Sequence, residues 1–293
     1  VSSSTPRILF ILVDGLGLGS SDPVLNPVHA GACPTLVDLL ARHAVPVDAT
    51  LGVPGLPQSA TGQTALFTGI NAAQKMGRHV EGFPGPALRE IIRAHNLYDQ
   101  LKESGFSSTF ANAYYVTDMA EVESRKIQSV TTVSALKAFG HVRDMTLMNA
   151  GKAVYQDLTR ESLRERGYTG PLSTPAQSGR DLVGLAREFD VTVFEYFQTD
   201  RVGHKGRREE ILQVLARFDE FLAAVLPFAH LPGCLLVMIS DHGNIEDMAS
   251  RTHSMNPVPL VAVGEGSRFL KERVKSLTDL TPALVALLRG SRD

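Results

Sequence analysis

Cysteine occurs only twice in the 293 residues, at Cys33 and Cys234, too few for a disulfide framework. Cys234 opens an apolar run, so both read as free thiols. Long runs of one charge are also missing. The 29 basic and 31 acidic residues are interspersed, and the formal net charge is −2. That balance leaves no electrostatic footprint for nucleic acid or an anionic membrane. A small anionic substrate stays open, because a local metal site can supply the positive charge. No apolar run is long enough to span a bilayer, and Val1 to Arg7 lack a signal peptide's layout, so a cytoplasmic location is the default expectation. No repeat or low-complexity segment is present. With 43% hydrophobic and 20% charged residues, the chain reads as an ordinary globular protein: one large α/β domain, or such a domain with a modest insertion.

What the chain does have is a set of buried-type strands that stop at ligand-type side chains. Cys234-Leu235-Leu236-Val237-Met238-Ile239-Ser240 runs into Asp241-His242-Gly243-Asn244. A continuous aliphatic run of this length fits a strand covered on both faces. Residues 8–13 form a second such run, ending at Asp14. The following Gly15-Leu16-Gly17-Leu18-Gly19-Ser20 resembles a dinucleotide fingerprint but carries Ser20 where the last glycine is needed. Asp14 is therefore either a ligand or a simple turn residue before glycine. Residues 191–197 make a third strand, followed by Asp200 and, four positions later, His204. In an open parallel sheet, ligands bind beyond the carboxyl ends of the strands.

Between these strands the pattern is helical over 34–43, 87–104, 181–188 and 209–226, with shorter strands at 45–51 and 108–113 and another, ending by Val263, after the loop that carries His253. Gly105 is expected to close the 87–104 helix, and Thr281 to cap a last helix with Pro282 at its first position. Pro57 and its neighbours break the chain before Ser59, after which residues 60–68 can form a helix with hydroxyls in its first turn. Such a turn suits a cap or a nucleophile that carries phosphate. Residues 114–174 lack an aliphatic strand and read as an inserted cap between core segments 1–113 and 175–293.

Asp14, Asp200 and Asp241 thus arrive at one sheet edge together with His204, His242 and, from a later loop, His253. Carboxylate with imidazole is the donor mix for Zn²⁺, Mn²⁺ or Fe²⁺. Two divalent ions would balance three aspartates and one serine alkoxide, and such a pair stabilises an in-line displacement. A serine hydroxyl needs that activation at neutral pH.

Asp14-Gly15, the hydroxyl at a helix start, Asp200-x-x-x-His204, Asp241-His242-Gly243-Asn244 and Thr252-His253-Ser254-x-Asn256-Pro257-Val258-Pro259 together resemble the alkaline phosphatase superfamily. The resemblance is closest to its cofactor-independent phosphoglycerate mutase and phosphopentomutase branch, and it covers the two ends of the chain. It implies a three-layer fold with a mostly parallel central sheet and helices on both faces. It also implies two metal ions, Mn²⁺ or Zn²⁺, one held by Asp200, His204 and His253, the other by Asp14, Asp241, His242 and the nucleophile. Ser59 is the implied nucleophile because Ser59-Ala60-Thr61-Gly62-Gln63 resembles Ser-x-x-Gly-His, with Gln63 departing from the histidine; Thr61 is the fallback. Arg78, His79 and Gln63 are candidates for substrate contact. The mutases' large inserted domain does not fit in the residues available here, and Arg143-Asp144 reads as a surface ion pair. The expected activity is phosphomonoester hydrolysis of a small phosphorylated metabolite through a phosphoserine. A phosphomutase is the alternative, and a non-catalytic metal-binding protein is the reading from another class. Oligomeric state is not legible.

Overall fold

A computed structural model describes residues 5–116 and 118–291, so most of the Val1–Arg7 segment lies outside the described residues. Its strands are β1 (Arg7–Val13), β2 (Ala44–Val47), β3 (Ser108–Phe110), β4 (Val191–Tyr196), β5 (Cys234–Ser240) and β6 (Val258–Gly264). They form one sheet in the order β2-β6-β5-β1-β4-β3. β5, β1, β4 and β3 pair in parallel, and β6 runs antiparallel to both of its neighbours.

The continuous apolar runs are explained by burial on both faces. Along β1, Ile8, Phe10 and Leu12 enter one core while Leu9, Ile11 and Val13 enter another. The first core is covered by α2 (Ser59–Thr68), α4 (Pro86–His95), α5 (Leu97–Glu103), α7 (Val130–Phe139), α12 (Ser267–Arg273) and α13 (Leu280–Gly290), and the second by α1 (Pro34–His43), α9 (Pro175–Ala186) and α11 (Arg208–Val225). Three layers result, helix on sheet on helix. Shorter helices are α3 (Ala72–Met76), α6 (Ala120–Glu123), α8 (Met145–Asn149) and α10 (Gln198–Lys205).

Residues 114–174 contribute in two ways. Val130, Val133 and Ala135 of α7 join the main core, whereas Met148, Tyr155, Leu163 and Tyr168 form a separate cluster. Among the described residues, no helix is long and apolar enough to cross a membrane.

Several local expectations need correction. The 87–104 helix is two helices: Asn96 takes an extended backbone and its side chain accepts from Asp99 N, ending α4 and capping α5. The 45–51 and 108–113 strands are shorter, ending at Val47 and Phe110. The 181–188 helix starts earlier, at Pro175, behind a Thr174 cap. Thr281 is no cap, since α13 begins at Leu280 and the buried Thr281 hydroxyl donates to the Leu66 carbonyl. The segment after β4, for which no element was expected, is α10.

Candidate metal centre

Register brings the three strand ends level. Val13 pairs with Tyr196 on one side and with Ser240 on the other, so β1, β4 and β5 finish on the same edge. Asp14 and Asp241 follow directly. Asp200 and His204 come from α10, where a spacing of four places them on one helix face, 3.3 Å apart from Nε2 to Oδ2. The Thr199 hydroxyl donates to the Asp14 carbonyl, and Asn244 Nδ2 donates to Asp200 Oδ1 at 2.6 Å, which fixes α10 against the ends of β1 and β5.

His253 arrives from the loop before β6, and its Nε2 lies 3.4 Å from Asp200 Oδ1 and 3.1 Å from His204 Nε2. The His242 ring stacks on the His253 ring at 3.6 Å, and His242 Nε2 is 3.1 Å from Asp14 Oδ1 and 3.7 Å from Asp241 Oδ2. Ser59 Oγ is 2.9 Å from the same Nε2. Asp14, Ser59, Asp200, His204, Asp241, His242 and His253 are therefore gathered at one place.

Two glycines make the gathering possible. Gly15 has φ +75° and lies so close to α10 that a Cβ there would sit 2.8 Å from Asp200 Cβ. On Gly62 a Cβ would sit 2.9 Å from the Asp241 carbonyl oxygen, so this glycine lets α2 reach the end of β5. Ser59 is the first residue of α2; the cap position belongs to Gln58, whose side chain makes no capping bond. The Ser59 hydroxyl is thus free of a capping role and turns to His242. The Thr61 hydroxyl is engaged elsewhere, donating to Gln58 O and accepting from Val80 N.

The donor set suits a divalent cation. His204 and His253 direct Nδ1 to the carbonyls of Arg251 and Pro57, at 3.0 and 2.7 Å, which leaves their Nε2 lone pairs facing each other. Two such lone pairs 3.1 Å apart repel unless a cation lies among them. Two constellations could hold a metal ion: Asp200, His204 and His253, and Asp14, Asp200 and His242. Without a cation, protons take over part of that task. Burial alone would lower the His242 imidazole, but Asp241, Asp14 and Asp200 carry it up to about 10. Burial, with Asp241 adding to it, holds the Asp14 carboxyl well above the usual carboxylate range. For Asp200, the upward push of burial is outweighed by His253, His242 and Asn244, and its carboxyl falls to about 2.

Gln63 lies inside the site, donating to Asp241 Oδ2 at 2.9 Å and reaching Asp14 Oδ2 at 3.5 Å. Arg78 and His79 are not brought to the cluster: Arg78 is exposed, and His79 Nε2 meets the Val53 carbonyl at 3.1 Å. Arg143 and Asp144 do not act as a surface pair either. Arg143 is half-buried and donates to Thr109 Oγ1 and Lys152 O, while Asp144 caps α8.

Two carboxylates at the site escaped sequence reading. Glu195, buried in β4, accepts from the Thr131 hydroxyl, and burial raises its carboxyl to about 7, with Asp241 adding to the effect. A lone acid in an otherwise apolar and aromatic strand was the available signal. Glu246 is 1% exposed and accepts from Gly17 N, Asn244 N, the Ser254 hydroxyl and Asn256 Nδ2, tying three loops of the site together. Its position two residues beyond the Asp-His-Gly-Asn run gave no distinguishing cue.

A cavity of about 560 Å³ opens above this floor. Asp14, Ser59, Gln63, Glu195 and Asp200 line its base.

A family model described as the metalloenzyme superfamily matches residues 6–290. The 2,3-bisphosphoglycerate-independent phosphoglycerate mutase of Acetivibrio thermocellus is 33% identical over 109 residues, which is 35% of this chain and 21% of that one. The matched part thus amounts to about a fifth of that relative's length. Among solved structures, alkaline phosphatase from the Antarctic bacterium TAB5 superimposes with a TM-score of 0.55 at 12% identity, covering 97% of this chain and 99% of that one. Thermus thermophilus alkaline phosphatase gives 0.56 at 13% identity, with coverage of 99% and 92%. These likenesses show an alkaline phosphatase-like fold. With its sheet, its clustered carboxylate and imidazole donors and a family match over nearly its whole length, the chain belongs to the metalloenzyme superfamily.

Proposed function

We propose that this chain is a metal-dependent phosphoryl-transfer enzyme working through Ser59, and that its reaction is hydrolysis of a phosphate monoester. The observation that carries this reading is Ser59 Oγ, 2.9 Å from His242 Nε2, on the floor of an open cavity among three aspartates and three histidines. Divalent cations, Mn²⁺ or Zn²⁺ by the donor chemistry, would be held by Asp200, His204 and His253 and by Asp14, His242 and neighbouring Asp241, supplying positive charge and Lewis acidity.

The protein's own groups account for the rest. Helix geometry leaves the N–H groups of Ser59, Ala60 and Thr61 without intrahelical acceptors, while Gly62 N already bonds Gln58 O at 2.8 Å. The N-terminus of α2 therefore presents donors and a partial positive charge to a phosphoryl group. Ser59 Oγ gives up its proton and bonds to phosphorus as the ester oxygen departs and is protonated. Water then attacks the phosphoserine, releasing phosphate and restoring the hydroxyl. Gln63 holds the Asp241 carboxylate in place, and Asn244 does the same for Asp200.

Hydrolysis is preferred over mutase chemistry because the cavity mouth is lined by exposed residues and open to solvent. Phe83, Arg125, Ile127, Arg166 and Arg201 line it and are exposed, so water reaches a phosphoserine at its floor. Phosphomutase is the second reading, favoured by the names of the sequence relatives. The test is to strip the protein with a chelator, restore Mn²⁺ or Zn²⁺, and assay p-nitrophenyl phosphate. Metal-restored release of nitrophenol that disappears in Ser59→Ala supports the proposal. A metal-loaded protein inert toward a broad ester panel would favour a binding role instead. Phosphorus-31 spectra showing phosphoglycerate isomerisation without free phosphate would replace hydrolysis by the mutase reading.

A further inference from the structure

The composition of the cavity walls speaks to what the phosphate is attached to. The chain is poor in aromatic residues, with thirteen phenylalanines, six tyrosines and no tryptophan, yet Phe83, Tyr114, Tyr115, Tyr155 and Phe197 all line this one cavity. Phe83 is 54% exposed and Ile127 63% exposed, and both face the space above Ser59 rather than a core. Their exposure goes with a surface that takes an apolar ligand.

The wall is also held in place. Tyr115 packs edge-on against Tyr168 at 6.0 Å and lies under the Arg166 guanidinium at 4.9 Å. Tyr155 and Tyr168 belong to the small cluster formed by residues 113–168, which anchors that side of the cavity. A fixed aromatic surface spares a ligand the cost of ordering it. Polar recognition is available beside the rings. Among the described residues, the Tyr115 and Tyr155 hydroxyls make no hydrogen bond, and the Arg125 and Arg201 guanidinium groups meet no acceptor or carboxylate. The volume of about 560 Å³ falls within the range that encloses drug-sized molecules, and a three-carbon phosphate would leave most of it filled with water.

We infer that the substrate is a phosphate monoester whose alcohol carries a planar aromatic ring with polar edges, of the size of a nucleoside. The phosphate lies against Ser59, and the ring lies along the wall formed by Tyr115, Tyr155 and Phe83. A phosphoglycerate or a glycerol phosphate has no surface for that wall. The inference rests on the phosphoryl-transfer reading for the position of the phosphate.

Binding and turnover are separated in the test. Ser59→Ala protein loaded with Mn²⁺ is titrated calorimetrically with adenosine 5′-monophosphate, 3-phosphoglycerate and glycerol 3-phosphate. The nucleotide is expected to bind at least about tenfold more tightly than either, the scale of one aromatic stacking contact. In the same background Tyr115→Leu and Phe83→Ala should each cut that preference by about threefold or more, and Tyr115→Phe should retain it. Phe83 and Tyr115 stand outside the main cores, and circular dichroism of each variant verifies its fold. Equal or tighter binding of 3-phosphoglycerate, or a preference indifferent to both wall substitutions, overturns the inference. Nucleotide preference in binding, with no phosphate released from any ester by the wild-type protein, supports ring recognition and overturns the hydrolytic reading alone.

Discussion

Replacing Ser59 by alanine removes one oxygen from a site whose remaining groups hold one another in place. Asp241 keeps its bond to Gln63, His253 keeps Pro57, and Asp200 keeps Asn244. Ser59→Ala is therefore expected to lower kcat by roughly a thousandfold or more with thermal stability unchanged. Rapid-quench mass spectrometry should find a phosphoryl group on the wild-type serine and none on the variant. Glu195 offers a pH test at the same scale. Burial raises its folded-state carboxyl to about 7, whereas an unfolded chain releases that proton near ~4.3. Between these values the native state binds the extra proton, so in metal-free protein this group's contribution to stability falls as pH rises and levels off above about 7. Glu195→Gln keeps an acceptor for Thr131 and removes the titration. The metal-free variant should melt with the wild type near about pH 4 and at a higher temperature than it above about pH 7. Parallel melting curves across that range would dismiss the assignment.

Elements, rather than single residues, decide how near the hydroxyl comes to the imidazole. The α2 helix approaches the end of β5 only because Gly62 has no side chain. A Cβ there meets the Asp241 carbonyl at 2.9 Å, so Gly62→Ala should displace the Ser59 turn and reduce kcat/KM by about 10–100-fold, although alanine is the better helix former. Away from the site, Asn96→Ala removes the cap of α5 and should cost about 1 kcal/mol in denaturant unfolding with kcat retained. The same elements show what was readable in the chain. β1 and β5 were legible because strands covered on both faces are written as unbroken aliphatic runs, β4 by its β-branched and aromatic residues, and Asp14, Asp200 and Asp241 were noticed because each lies just beyond one of these strands. The break at Asn96 was not legible, since helical apolar spacing continues through it; Asn96 caps α5 while Leu97, Tyr98 and Leu101 turn into the core. α10 was not assigned from the sequence because Thr199, Asp200 and Gly203 are poor helix formers; its order comes from contacts made by Thr199 and Asp200 to other segments. The cavity wall was invisible for a similar reason. Phe83, Tyr115, Tyr155 and Phe197 lie far apart in sequence and share no periodicity.

For the molecule as a whole, the potential ligands come from four separate segments: the end of β1, α10, the end of β5 and the loop before β6. One cation would tie α10 to the loop before β6 and a second would tie α10 to the ends of β1 and β5, and neither has such a site in the unfolded chain. At a hundredfold excess over its dissociation constant each contributes about 2.7 kcal/mol, so chelation should lower Tm by about 4 °C per ion in a chain of this size. Differential scanning calorimetry with and without chelator checks this, and coincident transitions would argue against sites shared among the four segments.

The 2.7 Å bond from His253 Nδ1 to the Pro57 carbonyl spans two otherwise unrelated loops, and Pro57 stands two residues before Ser59. Whatever fixes the far nitrogen of that imidazole also fixes the approach to the Ser59 hydroxyl. Occupancy of the two positions must then be reciprocal: an oxyanion resting on the serine turn tightens the grip on the ion, by the same factor with which the ion tightens the grip on the oxyanion.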